Sequence, residues 1–140
     1  MSNAISDLAV LLHSMNPVLN SGVYAFVSLP AGAVPDLIEP IATFRESEGL
    51  SLIIEEQQAS DAQLPILFRA AWITLTVHSD LQAVGLTAAV ATALADAGIS
   101  CNVVAAAYHD HLFVPVESAS QAIAVLRTLQ ERADSRLDPA

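Results

Sequence analysis

The sequence predicts an α+β protein in which antiparallel sheets carry helices on one face, arranged as two related units. Residues 69–133 follow the order strand, helix, strand, strand, helix, and residues 1–68 follow a shorter version without room for a full first helix. The segment "YAFVSLP" resembles "WITLTVH", and "LSLIIEEQQA" resembles "LFVPVESASQA", which indicates a degenerate tandem repeat. Each unit is too short to bury a robust core alone, so we expect a shared one. Residues 134–140 are polar, and we expect a flexible tail there.

The first unit begins with an amphipathic helix. Apolar residues from Leu8 to Met15 lie at the i, i+3, i+4 and i+7 positions of one helical face, and Pro17 ends the helix. The stretch "ATFRESEGLSLII" predicts a hairpin, with Gly49 at a position that needs a positive φ. The other elements of this unit are a strand, a loop and a short helix, at residues 23–29, 31–40 and 59–64.

The second unit has clearer patterns. "WITLTV", at residues 72–77, alternates as a half-buried strand does. Apolar residues from Leu86 to Ala97 line one face at helical spacing, and Gly98 follows where a C-terminal cap belongs. Residues 101–108 and residues 112–116 are predicted to be the next two strands. A helix follows, and Ser118 with Gln121 forms the capping box that opens it.

The composition excludes several kinds of partner. Fifteen acidic residues against five basic ones give a net charge of -10, so nucleic acids and anionic membranes are poor partners. No apolar run approaches the ~20 residues that span a bilayer, and residues 1–15 lack the features of a signal peptide. The single cysteine, Cys101, rules out an internal disulfide and fits a reducing cytoplasm, where we expect the protein. We expect no cofactor.

The stretch "AAAYHDHLFVPVES" places His109, Asp110 and His111 between two apolar runs. The two histidines would share a face of a regular strand, as some metal ligands do, but a third ligand is needed. No spacing selects His78 or His13 for that place, so we expect no metal and favour the tip of a hairpin. A histidine in a ligand cleft would make binding depend on pH near neutrality.

No set of residues supports an enzyme. The chain has no lysine, which excludes Schiff-base chemistry. Cys101 lies in an apolar strand, where a buried and inert thiol is expected. Glu55 and Glu56 point in opposite directions along a strand, so they cannot face one substrate. The remaining enzymatic alternative is a metal held at the tip formed by residues 109–111.

The segment "AVGLTAAVATALADAGISCNVVAAAYHDHLFVPVESASQAIAVL" resembles an ACT domain, a small ferredoxin-like βαββαβ module that binds amino acids in metabolic enzymes. "IATFRESEGLSLII" resembles a hairpin of the same family, so the resemblance extends from about Ile5 to Arg132. It is closest to the small stand-alone bacterial type of tandem ACT protein, distantly similar to the arginine sensor CASTOR. The family's final strand has no counterpart after the Ser118 helix. It is either missing or supplied by another part of the chain, such as the first half.

The resemblance implies a ligand loop at Val84, Gly85 and Leu86, and it aligns Asp110 with a hairpin aspartate of the family. The start of a helix attracts a carboxylate, and Gly85 would let a ligand approach, or else simply permit close packing. Asn102 is expected beside that helix start, where its amide could donate and accept, unless it is an ordinary turn residue. Asp110 could pair with a ligand's ammonium group, or it could serve a turn.

We therefore expect a regulatory protein without catalytic activity that binds a small molecule, an amino acid, and reports its level to a protein partner. The alternative is a ligand-free interaction module that forms a homo-oligomer through its sheets. The expected units are a degenerate N-terminal one at 1–68 and a C-terminal ACT domain at 69–133.

Overall fold

The computed structural model describes residues 7–30, 34–78 and 80–137. In chain order, the elements are α1 (Leu8–Ser14), β1 (Pro17–Leu19), β2 (Tyr24–Leu29), β3 (Ala42–Glu46), β4 (Gly49–Glu55), α2 (Glu56–Asp61), β5 (Phe68–Leu75), α3 (Leu86–Asp96), β6 (Asn102–Ala105), β7 (Asp110–Pro115), a 3-10 turn (Val116–Ser118) and α4 (Ala119–Leu137). None of the helices in these ranges has the length and apolar character needed to cross a membrane.

The strands form one antiparallel sheet, in the order β3-β4-β2-β5-β7-β6 with β1 also beside β5. Strand β5 belongs to both units. Its first residues, Phe68–Ala70, pair with β2, and Ala70–Leu75 pair with β7. It is therefore the last strand of the first unit and the first strand of the second. The predicted α+β class is confirmed, and the expected two sheets are joined into one.

Strand β1 completes the second unit. Pro17–Leu19 pair with Leu75–Ile73, on the side of β5 that does not face β7. This is where the final strand of a βαββαβ unit lies, and no strand follows α4 in the described part of the chain. The first half thus supplies the strand that the second half lacks. The sequence did not reveal β1, because three residues that begin with a proline carry no periodic signal.

The helices lie on one face of the sheet. Alternate residues of β5, Ala71, Ile73 and Leu75, point to this face and are buried against α1, α3 and α4. In the first unit, Val27 and Leu52 of the strands pack around Ala59 of α2. The register of β2 with β5 sets both clusters on the same face. The prediction of helices on one face is therefore confirmed.

The opposite face carries an aromatic cluster, which we call the aromatic face. Its rings are Tyr24, Phe26, Phe68, Trp72 and Phe113, five of the seven aromatic side chains in the chain. They meet mostly edge to face, with centroids 5.3 Å apart for Tyr24 and Trp72 and 5.5 Å apart for Phe26 and Phe113. Since the rings come from both units, this cluster is part of the core that the two short units share.

Three local predictions differ from the structure: the capping box, the start of the tail and the tip of the hairpin. A 3-10 turn precedes α4, so Ser118 lies within helical structure and does not open a capping box with Gln121. The helix also continues to Leu137, and residues 138–140 of the predicted tail lie outside the described residues. The hairpin turn occupies residues 106–109, and Asp110 is already in strand β7, because it pairs with Ala105 and Leu75. Asp110 is therefore not at the tip.

Candidate functional site

The connection from β5 to α3 ends at an uncapped helix start. Gly85 is the N-cap residue, with φ of 109°, and it has no side chain that could accept from the first turn. Ala89 donates to the Gly85 carbonyl at 2.8 Å, so the amides of residues 86–88 have no acceptor within the helix. These amides carry the positive end of the helix dipole. This end of α3 can therefore accept an anionic group.

Gly85 also lies under a side chain of α1. A methyl group built on Gly85 would come within 3.1 Å of Leu8 Cδ2 and 3.4 Å of Leu8 Cδ1. The close-packing role of this glycine is thus present in the structure. Of the other two loop residues, Val84 is exposed and Leu86 is buried in the helix-side core.

Among the described residues, Asp110 has the only polar or charged side chain that is buried, with 7% of its surface exposed. It shares the orientation of Leu112 and Val114, which point to the helix-side core. Its strand partner Leu75 is the last residue of β5, where the connection to α3 begins. Burial raises the pKa of the Asp110 carboxyl, and the charges of His111 and His109 oppose that shift. A carboxylate held in this setting gains from a cationic partner.

Asn102 lies elsewhere. It begins β6 opposite Phe113, at the end of the hairpin away from Asp110. Its neighbour Val103 packs on the helix-side core, so alternation turns Asn102 to the aromatic face. The expectation that Asn102 stands beside the start of α3 is wrong, because α3 carries the chain to the other end of the sheet first. Asp110 lies at the end of the sheet from which the chain passes to residues 84–86, and Asn102 lies at the other end of its hairpin.

The histidines of the 109–111 segment have separate environments. His109 Nδ1 lies 3.3 Å from the carbonyl of Val77, in the connection to α3. His111 points to the aromatic face, where Trp72 Nε1 donates to its Nδ1 at 3.0 Å. Within the described ranges, no three His, Cys, Asp or Glu side chains are grouped to hold a metal ion.

Cys101 offers no activated nucleophile. Burial raises the pKa of its thiol to about 11. At neutral pH the reactive thiolate is therefore scarce, as expected for a structural cysteine.

A polar network on the aromatic face was not foreseen from the sequence. Asn20 donates to Thr74 Oγ1 at 3.0 Å, and Thr74 Oγ1 lies 3.2 Å from the same Nδ1 of His111 that Trp72 contacts. These residues come from a loop and two strands. Only the register of β5 with β7, which sets Thr74 opposite His111, joins them.

The chain is similar to known proteins. Models of the ACT domain match residues 3–71 and 67–128, and the two matches overlap at the start of β5. The chain belongs to the ACT-domain family. Its two ACT domains lie in tandem and indicate a small-molecule-binding regulatory role. No curated protein matches the chain.

Solved structures resemble this tandem ACT protein over most of its length. A protein of unknown function from Vibrio cholerae, described as a possible transport protein, is 51% identical, covers 88% of this chain and 95% of its own, and has a TM-score of 0.79. The regulatory subunit of aspartate kinase from Thermus thermophilus shares the fold at 10% identity, with coverage of 83% and 97% and a TM-score of 0.62. Aspartate kinase from Clostridium acetobutylicum, an allosteric enzyme, has 9% identity, coverage of 81% and 34%, and a TM-score of 0.59.

Proposed function

We propose that this ACT protein is a non-catalytic, cytoplasmic sensor that binds an amino acid where β5 ends and α3 begins. The observation that carries the proposal is Asp110, the one buried charged side chain of the described chain. It begins β7 at the end of the sheet from which the chain passes to the uncapped start of α3. Retaining a buried carboxylate costs stability, so a ligand contact is a physical reason to keep it.

An amino acid zwitterion fits two oppositely charged features. Its carboxylate would accept from the amides of residues 86–88, which have no acceptor within α3, and its ammonium group would donate to Asp110. Gly85 adds no side chain to the approach of the carboxylate. The exposed Val84 would contact the ligand's side chain and so contribute to selectivity.

Helix α1 would convert binding into a signal. Leu8 lies on Gly85, and α1 also contacts α4, where Gln130 Nε2 donates to the carbonyl of His13 at 2.6 Å. A ligand at the start of α3 would displace Leu8 or hold it more tightly, and α1 would shift against α4. A protein partner that reads the α1–α4 surface would then respond to the amino acid.

The test is a calorimetric titration of the full chain with each of the twenty common amino acids. We expect heat from one chemically coherent group. Asp110→Asn should abolish it, since the amide keeps the shape and loses the charge. Asp96→Asn changes an exposed aspartate at the far end of α3 and should leave the heat unchanged. Absence of heat from every amino acid on folded protein would refute the proposal, and so would equal heat from Asp110→Asn.

A second candidate function is a ligand-free module that oligomerises through its sheet. The observation in its favour is edge strand β3, where Phe44 is 72% exposed. Exposed strand edges pair readily with a second chain. Sedimentation at micromolar concentration should then show a dimer that Phe44→Ser dissociates, and a monomer for the unmodified chain would rule this candidate out.

A further inference from the structure

The curled sheet brings its two edge strands to one cavity on the aromatic face. Strands β3 and β6 stand at opposite ends of the strand order. Ala42 of β3 and Val104 of β6 nevertheless line the same cavity, of about 240 Å³. Trp72 and Phe113 form its aromatic wall, with their rings stacked at 6.2 Å and 18°. The cavity is bounded by strands and loops, away from the helices.

One polar side chain breaks the apolar lining. The lining residue with a free polar group is His111, since Trp72 already donates its N–H to His111 Nδ1. The other lining residues are apolar: Ile41, Ala42, Val104, Ala106 and Phe113. This arrangement is typical of small-molecule sites, where a few polar groups orient a ligand against apolar walls.

The network around His111 fixes which ring nitrogen can donate. The indole of Trp72 is a donor only, so His111 Nδ1, 3.0 Å away, must accept. Thr74 Oγ1 accepts from Asn20 and so can turn its own hydrogen toward the same Nδ1, at 3.2 Å. The proton of the neutral imidazole is therefore on Nε2, for which the described residues provide no acceptor.

The imidazole is neutral at physiological pH. Burial lowers the pKa of His111 below its ordinary value, the charge of His109 lowers it further, and Asp110 opposes the shift. No Asp, Glu or Arg side chain lines the cavity within the described residues. The lining therefore offers an uncharged donor and no counterion.

We propose that this cavity is a second ligand site, which binds an uncharged aromatic molecule carrying one hydrogen-bond acceptor, such as an aryl ketone. The ring would lie against Trp72 and Phe113, and its acceptor would take the Nε2–H of His111. The volume suits a single substituted ring, since a cavity of roughly 150 Å³ already holds benzene. Zwitterions and carboxylates are excluded, because they would be desolvated without a counterion.

This site is independent of the amino-acid site. Asp110 points to the helix side of β7, whereas His111 and Phe113 point to the aromatic face. The two sites therefore take ligands of different chemistry through opposite faces of one strand. An experiment can therefore refute one proposed site without refuting the other.

The experiment uses the fluorescence of Trp72, the only tryptophan and itself a wall of the cavity. The full chain is titrated with acetophenone, with ethylbenzene, which lacks the acceptor, and with benzoate, which is charged. We expect saturable quenching by acetophenone. Ethylbenzene should bind roughly two- to tenfold more weakly, as competition against acetophenone shows, because it forms no hydrogen bond. Benzoate should not compete.

Two variants and one control locate the binding. Val104→Phe fills the cavity from β6 and should weaken the binding of acetophenone by about tenfold or more. If this variant fails to fold, Ala106→Leu fills the cavity from the hairpin turn and should have the same effect. Val18→Phe is the matched control. Val18 is 46% exposed on β1 and Val104 is 38% exposed on β6, but Val18 does not line the cavity.

Three results would overturn the proposal. One is linear, collisional quenching that is the same in all variants. Another is saturable binding that Val104→Phe and Ala106→Leu leave unchanged. The third is no binding by any probe, together with a dimer that Val104→Phe converts to monomer in sedimentation, which would assign the cavity to an interface between two copies of the chain.

Discussion

Gly49 is the residue at which a single methyl group should be most damaging. It begins β4, and a Cβ there would lie 2.3 Å from the carbonyl oxygen of Leu29 in β2. The oxygen would have to move by at least 0.7 Å to reach 3.0 Å, the shortest separation that real Cβ atoms tolerate. Leu29 is paired with Leu50 in the sheet, so the movement would distort the β2–β4 pairing. We therefore expect Gly49→Ala to destabilise the first unit by disrupting the pairing of β2 with β4.

The expected cost follows from two contributions. Forcing an atom into a filled space costs about 1–3 kcal/mol, and an alanine at φ of 155° in the glycine-favouring region adds about 1–2 kcal/mol. Gly98→Ala is the matched control. It also has a positive φ, 75°, but nothing lies within 4 Å of its Cβ position, so it should lose only about 1 kcal/mol.

Urea unfolding monitored by Trp72 fluorescence and far-UV circular dichroism measures both variants. With a loss of about 3 kcal/mol and an m-value near 1.5 kcal/mol/M, Gly49→Ala should lower the unfolding midpoint by about 2 M. Gly98→Ala should lower it by less than about 1 M. Equal losses of unfolding free energy in the two variants would show that backbone conformation alone accounts for the effect. The close approach to Leu29 would then contribute nothing to it.

Three further predictions concern the site and its supports. Burial raises the pKa of folded Asp110 above its unfolded value of about 3.9. The contribution of the Asp110 carboxyl to the free energy of unfolding is therefore complete below the unfolded pKa, and it is lost as pH rises through the folded pKa. Asp110→Asn should therefore raise the free energy of unfolding at pH 7, and the gain should shrink on acidification toward pH 4; a loss at pH 7 would contradict this. The Cys101 thiol, with a pKa of about 11 against an ordinary 9.0, should react with a disulfide reagent at pH 8 about 100-fold more slowly in folded than in urea-unfolded protein, and equal rates would show an accessible thiolate. Leu11→Ala should destabilise the protein by about 2–5 kcal/mol, because Leu11 is fully buried, whereas Leu8→Ala, at a 38% exposed position of the same helix, should cost under about 1.5 kcal/mol; equal small losses would mean that α1 is only loosely docked.

The features predicted well are those encoded by neighbours in sequence. The helical spacing from Leu86 to Ala97 and the glycine at position 98 identify α3, and the hairpin with Gly49 is found at β3–β4. The family resemblance is also confirmed. In each case the pattern lies within one element or its immediate turn, where local rules of spacing and φ apply.

The features missed depend on residues far apart in the chain. Strand β1 exists because Pro17–Leu19 meet Ile73–Leu75, and nothing in its three residues shows this. Asp110 was expected at a turn, since aspartate favours turns, but the pairing of β5 with β7 extends the strand through it and buries it. The aromatic face and its histidine likewise follow from register and from the curl of the sheet. The proposed site at residues 84–86 and 110 stays a prediction, and the cavity was not foreseen.

The pairing of the first helix with the last has a consequence for biosynthesis. The contact between His13 and Gln130 spans 117 positions. At about 5–20 residues per second, roughly 6–23 s separate the translation of these two residues. Over that interval the apolar stripe of the nascent α1, with Leu11, Leu12 and Met15, lacks the part of its cover that α4 supplies. The N-terminal segment should therefore be a binding site for a chaperone at the ribosome, and the native sheet should close only when the last helix emerges from the exit tunnel.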